Sequence, residues 1–152
     1  MKKIILFIGL LIPWFLSSFF SFDNSFYQEL NLPIFAPPGF IFAIIWPIIY
    51  ILITISVYQV ITTYGYKNVP FSYYKALIIN YLFNQSFSFL FFYLRSPFLG
   101  FISTLGTFIS SLFLYEETTK LKENSNKYLN LYLLWNLFAT SLSLCVYVLN
   151  VS

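Results

Sequence analysis

The residues of this chain that could do chemistry are aromatic, amide and hydroxyl side chains. There is no histidine and a single cysteine, Cys145. His-based catalysis, His-ligated metal or haem, an internal disulfide and CxxC chemistry are therefore excluded. No Asp, Glu, Lys or Arg lies deep within the long apolar runs, where proton relays and ion pathways of membrane proteins place them. What remains falls into stripes. Ala43, Trp46 and Tyr50 follow i, i+3, i+7 spacing and share one helix face. Asn80 and Asn84 stand one turn apart, and Phe87 continues their face. Trp135, Ala139, Leu142 and Val146 form a third stripe, with the small Ala139 opening room beside the indole. If these faces make a site, it is one for a large, flat or apolar ligand. For each there are two readings: the amides tie helices together or meet a ligand, and the aromatic stripes pack or line a pocket.

The elements that must position these residues follow from composition. Of 152 residues 59% are hydrophobic, 24% aromatic and 9% charged, with a mean hydropathy of +0.78. A soluble domain carries roughly 25% charged residues, so a water-facing surface cannot be covered. A soluble enzyme, a disordered chain and a nucleic-acid binder are excluded together. The charged residues punctuate uncharged runs of 19 (Ile4 to Phe22), 37 (after Glu29), 19 (after Lys75), 20 (after Arg95) and 25 residues (after Lys127). Crossing the hydrocarbon core takes about 20 apolar residues in a helix, and backbone groups in lipid must be paired internally. The pattern predicts an all-α polytopic membrane protein, one domain over 1–152. Its bundle has five transmembrane helices at about 4–22, 40–63, 73–93, 97–115 and 128–149. Short alternating segments of a β-barrel are absent.

Lys2 and Lys3 precede the first apolar run, but the run is long for a signal peptide. Ser17-Ser18-Phe19-Phe20-Ser21 offers no small-x-small cleavage site, so a retained helix is expected. Pro13 inside it predicts a mild kink, tolerable if neighbouring helices cover the freed carbonyl. Seven lysines fall on one side of the five-helix layout and Arg95 alone on the other. The positive-inside rule then places the N-terminus inside and the C-terminus outside. The loop Glu116 to Lys127 is expected to be a solvated connector. The first loop, 23–39, carries Pro33, Pro37 and Pro38, so it is expected to be ordered and extended, either a stiff connector or a ligand lid. Gly100, Thr104, Gly106 and Ser110 give small-xxx-small pairs on the fourth helix, a face for close packing or dimerisation.

Four motifs in order resemble the TspO/MBR family, also called tryptophan-rich sensory or translocator proteins. Phe26-Tyr27 through Pro33 and Phe35-Ala36-Pro37-Pro38 is similar to the family's W-Y-x-x-L-x-K-P-x-W-x-P-P pattern. Trp46 with Tyr50 resembles F-x-x-V-W-x-x-L-Y. Asn84 to Phe92 resembles N-x-x-[WF]-S-x-x-F-F, and Leu133-Leu134-Trp135 through Thr140 resembles Y-L-L-W-x-x-F-A-T. The resemblance spans about residues 4–150. It implies a compact five-helix bundle, usually a homodimer in the lipid bilayer, with a pocket under the first loop. Porphyrins such as protoporphyrin IX and apolar drug-like molecules are the implied ligands. Carried over by position, Tyr27, Phe35 and Pro38 would form the lid, and Ala43, Trp46, Asn84, Phe87, Trp135 and Ala139 the walls. The expected occupant is a porphyrin sandwiched by Trp46 and Trp135, with Asn84 on a polar edge and Arg95 either at a propionate or snorkelling at the surface.

The expected function is a receptor or sensor of such ligands in a bacterial cell membrane, with no cofactor, no metal and no nucleic-acid partner. Some bacterial members are credited with light-dependent breakdown of protoporphyrin, so one alternative is an enzyme in which Trp46 and Trp135 act as redox partners. Transport of the ligand and service as a partner-binding membrane subunit are the others. Family tryptophans are replaced here by Phe26, Phe35, Phe40 and Phe87, the loop lysine by Leu32, and an acidic residue by Ser103. The weak cholesterol-recognition pattern is absent, so cholesterol handling is not expected.

Overall fold

The computed structural model describes residues 2–20 and 25–151, apart from the side chain of Glu123. The chain is all-helical over these residues. Helix α1 (Lys2–Leu11) runs into a 3-10 segment (Ile12–Phe20), and a short α2 follows (Ser25–Glu29). Helix α3 is Gly39–Tyr64, and α4 (Phe71–Ser88) continues as one π-helical turn (Phe89–Tyr93). Helix α5 is Pro97–Leu121. A short α6 (Glu123–Asn126) and a 3-10 turn (Lys127–Leu129) lead to α7 (Asn130–Leu149). Lys2–Phe20, Gly39–Tyr64, Pro97–Leu121 and Asn124–Leu149 are long and apolar enough to cross a membrane. The remaining rod, 71–93, packs on its neighbours through one face, leaves Ile78 and Leu82 exposed on the other, and is the most polar, with Lys75, Asn80, Asn84 and Gln85 on it.

Helix limits follow local chemistry. Pro38 and Pro70, both extended, precede the first residues of α3 and α4. Helix α3 stops at Gly65, whose φ of 76° is open to glycine. Ser96 caps α5 by accepting from Leu99 N at 3.2 Å, with Pro97 at the first helical position. Three expectations are corrected. Helix α5 continues to Leu121 because its exposed last turns are held by Lys120 pairing with Glu116 and Glu117 at 2.9 and 2.8 Å. The connector beyond it is packed as well as solvated: Ser125 Oγ donates to Gln59 Oε1 at 2.7 Å and Ser125 is buried. Within the first loop, Ser25–Glu29 forms a helical turn and only the proline-bearing part, 30–38, is irregular. The expected end of the first helix at Phe22 and start of the loop at Asp23 lie outside the described residues.

Helix α4 packs most extensively on α5, α5 on α7, α1 on α3, and the 3-10 half of the first rod on α4. The small-residue stripe is spent inside the chain. Ser103 Oγ donates to Phe83 O at 2.8 Å, Thr140 Oγ1 to Thr104 O at 3.1 Å, and a Cβ at Gly100 or Gly106 would collide with the ring of Phe91 or Phe83. That stripe is an intramolecular packing face.

Pro13 has a larger effect than a mild kink, since the rod tightens to 3-10 geometry from Ile12 onward. Three side-chain bonds from α4 secure it. Tyr81 Oη donates to Pro13 O at 2.9 Å, Gln85 Nε2 donates to Trp14 O at 3.0 Å, and Gln85 Oε1 accepts from Ser17 N at 2.9 Å. Gln85→Leu keeps the side-chain bulk and removes both amide bonds to this rod. It should lower the unfolding temperature in detergent, at a cost of roughly 1–2 kcal/mol. An unchanged melting curve would show that the Tyr81 bond and ring packing hold the kink without Gln85.

Candidate functional site

Between the buried cluster around Ile49, Ile53, Tyr73 and Tyr132 and the smaller one of Phe26, Phe91, Leu142 and Val146 lies a cavity of about 370 Å³. Pockets for small molecules span roughly 300–1,000 Å³. Helix α3 contributes Phe42, Ala43, Trp46, Pro47 and Tyr50, and the α4 rod Asn84, Phe87, Phe91 and Phe92. Helix α5 adds Thr104 and Thr107, and α7 adds Asn136, Ala139, Leu142, Ser143 and Val146. Phe15, Ser17 and Ser18 close it from the first rod, and Tyr27 and Gly39 from the loop side. None of these side chains is charged.

Local structure explains why these groups converge. Pro47 inside α3 cannot donate to the Ala43 carbonyl, so that acceptor is freed beside the cavity. The π turn at the end of α4 sets Phe87 and Phe91 in a stack at 5.2 Å and 11°, with Phe92 edge-on to Phe91 at 4.9 Å. Gly100 on α5 leaves the space that Phe91 fills.

One side of the cavity is a hydrogen-bond network. Asn84 Oδ1 accepts from Tyr50 Oη at 3.2 Å and from Gln85 Nε2 at 2.9 Å, while Asn84 Nδ2 donates to Tyr132 Oη at 3.3 Å. Tyr132 Oη donates to Asn80 Oδ1 at 2.9 Å, and Asn80 Nδ2 donates to Thr107 O and Ser110 Oγ at 3.1 and 3.0 Å. Both asparagines therefore bind helices together, and Asn84 also borders the cavity.

Of the nine residues expected at the site, Tyr27, Ala43, Trp46, Asn84, Phe87 and Ala139 line the cavity. Phe35, Pro38 and Trp135 do not. Phe35 is half-exposed, with its ring edge-on to Phe138 at 6.4 Å, and Pro38 caps α3 at the surface. Trp135 stands behind the wall, packed on Phe138 at 5.3 Å and Phe42 at 5.8 Å, with its indole Nε1 buried and unpartnered among the described residues. The expected sandwich is also absent, because Trp46 meets Trp135 edge-on at 6.3 Å and 89°, leaving no slot between them. Sequence reading missed the rear polar wall, Thr104, Thr107, Asn136 and Ser143. The helical register of Asn136 and Ser143 with Ala139 carried that signal.

Arg95 is engaged away from the cavity. Its Nη1 sits 3.4 Å from Glu29 Oε2, its Nη2 3.5 Å from Ser25 Oγ, and its guanidinium lies over the Phe26 ring at 5.7 Å. A left-handed φ of 50° at Arg95 aims it there. The middle of the loop is held by Asn150, whose Oδ1 accepts from Asn31 N and whose Nδ2 donates to Asn31 O, both at 3.0 Å. The last part of the loop is tied back to the first by Tyr27 Oη, which donates to Pro37 O at 3.2 Å; burial raises its pKa, keeping it a neutral donor.

The TspO/MBR family model matches residues 4–149. The chain belongs to the TspO/MBR family. It is 34% identical over 134 residues to the tryptophan-rich protein TspO of Bacillus cereus, covering 88% of this chain and 86% of that one. It is 30% identical over 131 residues to the uncharacterized membrane protein YtaB of Bacillus subtilis, covering 86% and 84%. Identity to the TspO of Archaeoglobus fulgidus is 28% over 145 residues, covering 90% and 88%. With its long apolar helices, this TspO/MBR chain is an integral membrane protein.

Arg95 anchors the loop over this TspO/MBR cavity, so Arg95→Gln should loosen it. Amide exchange across 25–38 should accelerate several-fold, in line with the ~1 kcal/mol such an exposed pair can contribute, while α7 exchanges unchanged. Equal protection of the loop in both proteins would assign its order to the prolines and Asn150 alone.

Proposed function

We propose that this TspO/MBR protein is a membrane receptor for a porphyrin-like tetrapyrrole or a comparable flat, apolar ligand, held in the cavity under the first loop. The observation that carries the reading is the lining itself: stacked and edge-on rings from α3 and α4, a short polar wall from α5 and α7, and no charged side chain among the described residues. Rings supply contact area and orientation, and a few amides and hydroxyls supply specificity. A macrocycle would lie against the Trp46 and Phe87 side of the cavity, with ionised propionates directed out of the mouth, because a buried carboxylate would find no cation inside. Supporting this reading are the family membership and the six expected residues that meet at the cavity. The lysine distribution supports an N-terminus inside a bacterial cell membrane. A homodimer, expected from the family resemblance, would use an outward face, since the small-residue stripe of α5 packs inside the chain.

A second reading is favoured by one geometric feature. Trp14, Tyr50, Trp46 and Trp135 form a relay of ring contacts at 5.6, 5.5 and 6.3 Å. Such a relay could give an electron to a light-excited porphyrin, which would pass it to dioxygen as superoxide, while the tryptophan radical regains its electron from the macrocycle, so that the net oxidation falls on the porphyrin with dioxygen as oxidant and without acid, base or metal.

Titrating the purified protein with protoporphyrin IX in the dark should quench tryptophan fluorescence saturably. Ala139→Phe, which fills the cavity beside α7, should weaken that binding at least ten-fold while leaving the tryptophans in place. Illumination of the same samples then separates the readings: porphyrin loss that vanishes in Trp135→Phe supports the enzyme, and binding without loss supports the receptor. Quenching that never saturates, or that Ala139→Phe leaves unaltered, removes the cavity from the reading.

A further inference from the structure

Most hydroxyl donors around the cavity are already spent. Tyr50 Oη donates to Asn84 Oδ1, Tyr27 Oη to Pro37 O, Ser18 Oγ to Phe15 O, Thr104 Oγ1 to Phe101 O and Thr107 Oγ1 to Ser103 O. One backbone acceptor of the lining has been left out. In an α-helix the carbonyl of residue 43 is bonded by the N–H of residue 47, and here that residue is Pro47, which has no N–H. The ladder on either side assigns the N–H groups of Trp46 and Ile48 to Phe42 and Ile44. No side chain among the described residues donates to the Ala43 carbonyl in their place.

Its position puts this acceptor within reach of an occupant. Residues 43 and 47 stand one turn apart on α3 and both line the cavity. A helix carbonyl points along the axis toward the residue four positions on, so the Ala43 oxygen lies between two lining residues, beside Trp46. The proline ring presses against that carbonyl and tilts it off the axis. The methyl side chain of Ala43 is exposed and leaves the approach open. A backbone carbonyl without a donor is costly where water is scarce, and a donor on the ligand can supply the bond that the helix lacks. We propose that the Ala43 carbonyl selects the ligand of the cavity, accepting a hydrogen bond from an N–H group on the edge of a flat, apolar molecule that lies on Trp46. This rests on the reading of the cavity as a ligand site and narrows it. The N–H is a neutral one, because no carboxylate among the described residues lines the cavity to match a cation. A closed porphyrin turns its N–H groups inward, so this acceptor favours an open-chain tetrapyrrole, an indole or another conjugated ligand with an N–H on its rim.

The test uses two tricyclic probes of one outline, carbazole, which carries an edge N–H, and fluorene, which carries a methylene group in its place. Affinity for each is measured with the purified wild-type protein, Pro47→Ala and Pro47→Gly in detergent, alongside the melting temperature of each protein without ligand. Both substitutions return an N–H to position 47 and so occupy the Ala43 carbonyl within the helix. Each should weaken carbazole roughly five-fold and leave fluorene within about two-fold. Pro47→Ala should also keep or raise the melting temperature. Carbazole affinity that neither variant reduces overturns the proposal. So does an equal loss for both probes, which would assign the effect to the shape of the kinked helix. A loss in one variant alone would assign it to the side chain at 47, and a melting temperature lowered by several degrees in Pro47→Ala would show that the carbonyl already had a partner; either result overturns it too. If the wild-type protein binds neither probe, the cavity reading itself fails, and the fluorene arm, which needs no hydrogen bond, separates that failure from the others.

Discussion

The bundle depends on how amides are satisfied where water is scarce. Helix α4 carries three of them within six residues, Asn80, Asn84 and Gln85, and each reaches a different neighbour. Asn80 holds α5 through Thr107 O and Ser110, and Asn84 holds α3 and α7 through Tyr50 and Tyr132. Gln85 holds the first rod through Trp14 O and Ser17 N. In a hydrocarbon surrounding, apolar contact between helices gains nothing over contact with lipid, so directional bonds and close fit decide which helices meet. This polarity is also why α4 is the least apolar rod. Its amides reach all four other rods, and bonds replace hydropathy as the reason its inner face turns toward them.

The same network makes an internal cavity sustainable. Close packing leaves few voids larger than a water molecule, and a space of this size collapses unless its walls are held apart. Here one wall is braced by the tyrosine–asparagine bonds and the other by rings locked face to edge, Phe87 on Phe91 and Phe91 on Phe92. Small residues in the lining, Ala43 and Ala139, keep the walls from meeting. The loop above is anchored at Arg95 and at Asn150, so its closure does not depend on an occupant.

Much of this was legible in the residues. Helix positions follow from the uncharged runs because lipid enforces both length and backbone pairing. Six of nine expected site residues lie at the cavity because helical periodicity alone sorts one face from another. The misses have physical causes. Trp135 was expected at the ligand because stripes give a face but not a depth, and Phe42 and Phe138 fill the space in front of its ring. Phe35 and Pro38 lie in the irregular stretch, where no period constrains direction. Arg95 was read through its charge, whereas its left-handed backbone turns it to Glu29 and Phe26. The α5 stripe left its partner open, since small-residue spacing says that something comes close without saying what; here it is Phe83, Phe91 and α7.

The aromatic substitutions bear on what such a cavity can recognise. Family tryptophans at Phe26, Phe35, Phe40 and Phe87 would each bring an indole N–H, and in the bilayer each buried one needs an acceptor. Phe87 instead stacks flat on Phe91 and requires none. Ring area is preserved at the cavity wall while hydrogen-bond donors are thinned, and both tyrosines of the lining are committed, Tyr50 to Asn84 and Tyr27 to Pro37 O. Polar discrimination by side chains is thereby concentrated on the side of the cavity that α5 and α7 build, opposite the rings. A flat ligand held against Trp46 and Phe87 would present its far edge to that wall, where Thr104, Thr107, Asn136 and Ser143 stand. On that reading the division of labour is set by chemistry: rings would position the plane of the ligand, and the polar groups of this wall would distinguish what is attached to its rim.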